Sequence, residues 1–233
     1  MRKPVVDYRK LRPNNLTSPE YRHLLYLLGW VGYFILYVLT EKLIPAGACY
    51  PVHSPLDDLI PFNEWFLIPY CFWYVLIVIS LGWFALYNTR NFKNLQTYII
   101  ITQVVAMTVY ILLPSRQDLR PEQFARDNFL THLAAFIYDF DTNTGVCPSL
   151  HVAYSLGILS CWLRERSVGK GFKVFVTAAV VLICISVTFV KQHSVLDILA
   201  ALPLGLLAEW LTFAKASPIN RTGKKKEQKS LTL

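Results

Sequence analysis

His193 and Asp197 stand four residues apart in Lys191-Gln192-His193-Ser194-Val195-Leu196-Asp197, so a helix puts them on one face. Asp197 lies in an otherwise apolar run from Ser194 to Leu207. A carboxylate deep in such a run costs about 2.5–3.5 kcal/mol on membrane-insertion scales and needs a partner. His193 is the near one. A carboxylate on one ring nitrogen fixes the tautomer and frees the other nitrogen, as a nucleophile or base requires. The second stretch is Cys147-Pro148-Ser149-Leu150-His151. Ser149 is suited to cap a helix whose first turn carries His151, and such an N-terminus attracts anions. Two histidines with cations nearby suit phosphoryl transfer. One attacks phosphorus, the other protonates the leaving oxygen, and cations hold the equatorial oxygens. The same i, i+4 spacing also fits an interfacial histidine satisfied by a carboxylate, with no chemistry.

The elements that must position these residues are apolar helices. Of the 233 residues 54% are hydrophobic and 16% charged, with mean hydropathy +0.38. Soluble domains carry about 25% charge. The apolar residues are clumped, which excludes disordered, collagen-like and ordinary soluble chains. A membrane-spanning helix needs about 20 mostly apolar residues. Six segments meet or approach that: 24–43, 66–88, 96–113, 149–164, 172–190 and 194–214. The expectation is an all-α, polytopic membrane protein with six transmembrane helices, no internal repeat, and a membrane domain over 24–214. Basic tails over 1–23 and 215–233 flank it and are expected to be solvated.

Charge gives the orientation. With the N-terminus in the cytoplasm, six Lys and Arg fall in the N-terminal tail and two between the second and third spans. Four more fall between the fourth and fifth and six in the C-terminal tail, leaving five of the 23 elsewhere. This is the positive-inside pattern of six spans with both termini inside. It also accounts for the net charge of +8 without nucleic acid. Ala46-Gly47-Ala48 has the form of a signal-cleavage site, but the preceding apolar run is long and Glu41-Lys42 intervenes, so the first helix is expected to be retained. Loops 44–65, 114–148 and 190–194 then face outward, and both histidine motifs open on that side. Cys49 and Cys147 share that side, and their pairing stays open.

Pro148-Ser149-Leu150-His151 and His193-x-x-x-Asp197 resemble the second and third motifs of the type-2 phosphatidic acid phosphatase superfamily. Leucine in the third place of the second motif, Arg126-Asp127-Asn128 and Asp141-Thr142-Asn143-Thr144 are similar to its inositol phosphorylceramide synthase branch, in bacterial form. The resemblance implies a six-span core with an outward-facing site. It implies His193 as the nucleophile that becomes phosphohistidine, Asp197 as its orienting partner, and His151 as acid and then base. Ser149 would help bind phosphate, and Arg120 of Arg120-Pro121 would clamp it. The chain departs from the family at two cations: Leu113 stands where the first motif has lysine, and Val187 where the third has arginine. Lys191, Arg116 and Arg126 are candidates to replace them, with solvated loop charges or a membrane-edge anchor as the alternatives.

The implied activity is metal-independent cleavage of a lipid phosphate ester at the extracytoplasmic face of the plasma membrane. It needs no cofactor, and its partners are the lipid substrate and membrane lipids. Transfer of the phosphoryl group to another alcohol is the alternative outcome. More distant readings are a transporter, a metal site made of His151, His193 and Asp197, and a haloperoxidase.

Overall fold

The computed structural model describes residues 3–214. The basic C-terminal tail, with Lys224-Lys225-Lys226, lies outside them. The regular structure of the described residues is helical apart from one two-stranded parallel ribbon, Tyr50–Pro51 (β1) with Ser115–Arg116 (β2), and a single bridge between Arg116 and Thr144. The helices are α1 (Leu28–Leu43), α2 (Pro55–Leu59), α3 (Leu67–Tyr87), α4 (Thr89–Leu112), α5 (Phe129–Phe140), α6 (Leu150–Arg164), α7 (Lys170–Phe189) and α8 (Val195–Phe213).

Side-chain caps set several of these boundaries. Asn88 accepts from the Asn91 N–H at 3.1 Å and starts α4 seven residues before the predicted span, so Arg90 and Lys93 lie on the helix instead of in a connecting loop. Asn128 caps α5 through the Leu130 and Thr131 N–H groups. Ser149 caps α6 and Ser194 caps α8. In each case the side-chain oxygen meets amide groups that the first helical turn leaves unpaired.

Among the described residues five helical stretches are long and apolar enough to cross a membrane: Arg22–Leu43, Glu64–Tyr87, Thr89–Leu112, Lys170–Phe189 and Val195–Phe213. Each shows apolar side chains on its outside, among them Val31, Val78, Val104, Val174 and Leu206, all more than half exposed. So much exposed apolar surface belongs against lipid and not water. The fold is that of an all-α integral membrane protein.

The predicted fourth span is helix α6, only 15 residues long. At about 1.5 Å per residue it reaches roughly 22 Å, short of the ~30 Å hydrocarbon core. Its surroundings account for this: α6 packs against α3, α4, α7 and α8, and nine of its residues, including Tyr154, Ile158 and Trp162, are buried. Small residues allow the close approach. A Cβ on Gly157 would lie 2.5 Å from the Tyr98 ring of α4, and one on Gly205 of α8 would lie 2.8 Å from Leu156. The Tyr98 hydroxyl donates to the Gly205 carbonyl at 3.1 Å, so one side chain links all three helices.

The N-terminal tail departs from the solvated expectation. Val6, Tyr21 and His23 are buried. Tyr8 donates to the Ala85 carbonyl at 2.8 Å and pairs with His23 Nε2 at 2.6 Å, fastening the segment to the end of α3. Its many basic residues mask a few apolar anchors that follow no helical or strand period.

Candidate active site

α6 and α8 bring the two histidine motifs together. The His151 and His193 ring centroids are 5.6 Å apart, in an edge-to-face arrangement. His193 Nδ1 donates to Asp197 Oδ2 at 3.2 Å; the expected partner is there, but His193 precedes the Ser194 cap and lies outside α8, so the pair bridges the capping turn and does not share a helix face. Asp197 is fully buried and also accepts the Ser194 N–H at 2.9 Å. With a carboxylate oxygen as the acceptor, Nδ1 is the donating nitrogen and Nε2 is the ring nitrogen left free of that bond. His151 sits among aromatic rings, 4.4 Å from Trp73 and 4.9 Å from Tyr70 between centroids, and its Nε2 has no hydrogen-bond partner.

Both histidines line a cavity of about 270 Å³. Its other walls come from α1 (Trp30, Tyr33, Phe34, Tyr37), α3 (Trp73, Tyr74) and the loop after α5 (Asp141, Thr142). Among the described residues no Lys or Arg lines it. The expected phosphate-binding residues therefore divide. Ser149 is fully buried, and its hydroxyl accepts from Val152 N at 3.4 Å as the α6 cap. Arg120 stands one residue behind the wall. Its guanidinium donates to Gln192 Oε1 at 2.7 Å and to the carbonyls of Tyr138, Asp141 and Thr142, and it lies 4.6 Å from the Tyr138 ring centroid. Gln192 does line the cavity.

The three candidate replacement cations lie away from it. Arg116 pairs with Asp118 at 3.0 Å and donates to the Ala46 carbonyl, bracing the β1–β2 ribbon. Arg126 pairs with the buried Glu64 at 3.0 Å. Lys191 Nζ donates to the Asp57 carbonyl at 2.9 Å and to that of Ile60, capping the end of α2. Burial pushes the Lys191 ammonium below its usual pKa, and Asp57 and Asp58 oppose that. Its backbone has φ 53°, a left-handed conformation costly for a residue with a Cβ. The clamp on α2 helps hold it there.

Asp57 has a structural part that spacing did not reveal. It is 2% exposed, accepts the Ser194 hydroxyl at 2.5 Å and the Ser54 N–H through one oxygen, and accepts the Val195 N–H at 2.8 Å through the other. A carboxylate from the segment between α1 and α3 thus holds the N-terminus of the helix that carries Asp197. Placing negative charge there is favourable. The only sequence signal was the acidic pair Asp57-Asp58 after Ser54-Pro55, which reads as a short helix start and nothing more.

The five cysteines are free, Cys49 and Cys147 included. Burial, reinforced by the Asp197 carboxylate, pushes the Cys147 thiol up to about 12. Among the described residues no group of three or more His, Cys, Asp or Glu side chains converges as metal ligands would, so His151, His193 and Asp197 do not form the three-donor set considered from sequence.

No protein-family model matches the chain, nor does any curated protein or solved structure.

Proposed function

We propose that this chain is a membrane enzyme that cleaves a lipid phosphate ester through a phosphohistidine. One observation carries the reading: two histidines from distant parts of the sequence meet in one cavity, one backed by a buried carboxylate and the other unpartnered at Nε2. In the first step His193 Nε2 attacks phosphorus. The P–O bond to the lipid alcohol breaks, and its electron pair goes to the leaving oxygen, which takes a proton from His151. In the second step His151, now neutral, removes a proton from water, and the hydroxide oxygen displaces His193 from phosphorus. Asp197 stabilises the positive charge that His193 acquires. The N-terminal amides of α6 supply positive potential for the phosphoryl oxygens.

The motif resemblance to the type-2 phosphatidic acid phosphatase superfamily supports the same assignment. The membrane arrangement we propose has six spans, with α6 crossing inside the bundle, both termini cytoplasmic and the cavity extracytoplasmic, in the plasma membrane. The excess of Lys and Arg on the tails and on the α6–α7 connection supports it.

A second reading, transfer to another alcohol in place of water, is favoured by the aromatic walls, which keep water from the phosphohistidine. The test is phosphate release from a lipid-phosphate panel by detergent-purified protein in excess chelator, beside His193→Ala and His151→Ala. Release that survives chelation and disappears in both variants supports the phosphatase. Phosphohistidine trapped on His193 without release supports transfer. Turnover that survives in His193→Ala sinks both.

A further inference from the structure

We infer that the cavity takes a zwitterionic headgroup, an alkylammonium joined to the phosphate as in a phosphocholine or phosphoethanolamine ester, in preference to a bare phosphate monoester. The inference rests on the phosphoryl-transfer reading of the two histidines and adds what surrounds them.

A phosphate monoester carries nearly two negative charges and needs cations at its oxygens. The cavity wall offers none among the described residues, and Arg120 behind it is already committed to three carbonyls and Gln192. What the wall does offer is a carboxylate and aromatic rings. Asp141 lines the cavity, and its Oδ1 accepts the Tyr37 hydroxyl at 2.8 Å. Arg120 lies near enough to favour that carboxylate electrostatically and donates to the Asp141 main-chain carbonyl, but among the described residues no lysine or arginine forms an ion pair with it, so its cavity-facing side is left for a cation. A second acid, Glu41, accepts from Thr142, the next residue on the wall. Trp30, Tyr33, Phe34 and Tyr37 of α1 and Trp73 of α3 complete the enclosure. Aromatic rings around an anionic group bind alkylammonium ions, because the negative ring faces attract a cation that is weakly hydrated. The same walls would repel a dianion. Phosphate at the histidines and ammonium toward Asp141 is the one arrangement in which both charges of a headgroup meet partners.

The test is calorimetric binding to the full chain in a maltoside detergent, with phosphocholine, phosphoethanolamine, tetramethylammonium and inorganic phosphate as separate probes. Phosphocholine or phosphoethanolamine should bind about tenfold more tightly than phosphate. Asp141→Asn should weaken both by a similar factor and leave phosphate unchanged. Trp30→Leu serves as an independent second variant with the same expected loss, should Asp141→Asn fail to fold. A preference for phosphocholine would show that ring faces dominate, and one for phosphoethanolamine that carboxylate pairing dominates; either supports the inference. Phosphate binding equal to or tighter than phosphocholine, or headgroup binding untouched by both variants, overturns it. The His193→Ala chain separates the two claims. It should still bind tetramethylammonium, which needs only the Asp141 and aromatic end of the cavity, while losing turnover, and if it keeps turnover the phosphohistidine reading fails whichever headgroup binds.

Discussion

The Ser149 backbone N–H donates to the Asp197 carbonyl oxygen at 3.1 Å, joining the start of α6 to the first turn of α8. The bond lies between the caps of the two helices that present His151 and His193. It fixes their relative height through main-chain atoms, which have far less freedom than the long side chains that usually link helices. The two rings are therefore held in register before any ligand arrives.

Asp57 should matter to activity without touching the cavity. Asp57→Ala leaves the Ser194 hydroxyl and Val195 N–H without their acceptor, each bond being worth about 1–3 kcal/mol when a buried group is orphaned. Thermal unfolding in detergent should fall, and kcat should drop by about tenfold or more as the N-terminus of α8 shifts. Asp57→Asn keeps the shape and one acceptor and should recover part of both. Unchanged kcat in Asp57→Ala would show that α8 is positioned by other contacts.

Gly157→Ala should destabilise the bundle. The added Cβ would sit 2.5 Å from the Tyr98 ring, which is buried and tied to Gly205, so the ring cannot swing away freely. Overpacking of this kind costs about 1–3 kcal/mol. Gly82→Ala on α3 is the control: its Cβ meets nothing within 4 Å, and alanine there should be neutral or slightly stabilising. Unfolding midpoints of the two variants against the parent chain decide the point.

Cys147 should resist alkylation in the folded protein. With its thiol pushed up to about 12, the reactive thiolate is scarce at neutral pH and grows only as pH climbs toward that value. Iodoacetamide labelling followed by mass spectrometry should show slow modification of Cys147 up to about pH 9 and rapid modification after denaturation, where an ordinary thiol pKa near 8.5 returns. Fast labelling of the native chain would mean that the Cys147 loop opens.

His53 should titrate above the usual histidine value of 6.5. Its Nε2 contacts the Asp58 carboxylate at 2.8 Å, and that hydrogen bond holds the ring in its charged form. The sign follows: a raised native pKa contributes stability that is complete below the unfolded pKa and is lost as pH rises through the native one. The pair is solvent-exposed, so the stability effect should be small. The clear readout is the His53 ring resonance by NMR, whose midpoint should move down in Asp58→Asn.

The sequence disclosed unequal parts of this arrangement. The His193–Asp197 contact was legible from spacing, but not for the reason the spacing gave: His193 lies just before the Ser194 cap, outside α8, and meets Asp197 across the capping turn, where Asp197 also accepts the Ser194 N–H, and not along a shared helix face. The meeting of His151 with His193 was not. It depends on how α6 packs on α8 across 41 intervening residues; the charge pattern put both motifs on one side of the membrane, and only the motif resemblance suggested that they meet. Lys191, Arg116 and Arg126 illustrate the converse. Each has the right charge in the right loop, yet each is engaged by a carboxylate or a helix-end carbonyl that no spacing rule identifies. α5 had a readable start in Asn128, but its 12 residues are too few to stand out as a span. The aromatic walls were invisible for a related reason: α1 up to Leu39 and nearly all of α3 are apolar, so a ring that faces a cavity looks the same as one that faces lipid.

The enclosure of α6 has a consequence for how the protein sits among different lipids. A helix in contact with acyl chains must tilt, or deform its surroundings, when bilayer thickness differs from its own length. α6 is ringed by protein along most of its length, so that mismatch falls on the outer helices instead. The depth of His151 is set by the packing of α6 on its neighbours and by the α3 rings of Tyr70 and Trp73 against it. A thicker or thinner membrane should therefore retune the outer helices, and α1 above all, while leaving the histidine pair at its fixed separation.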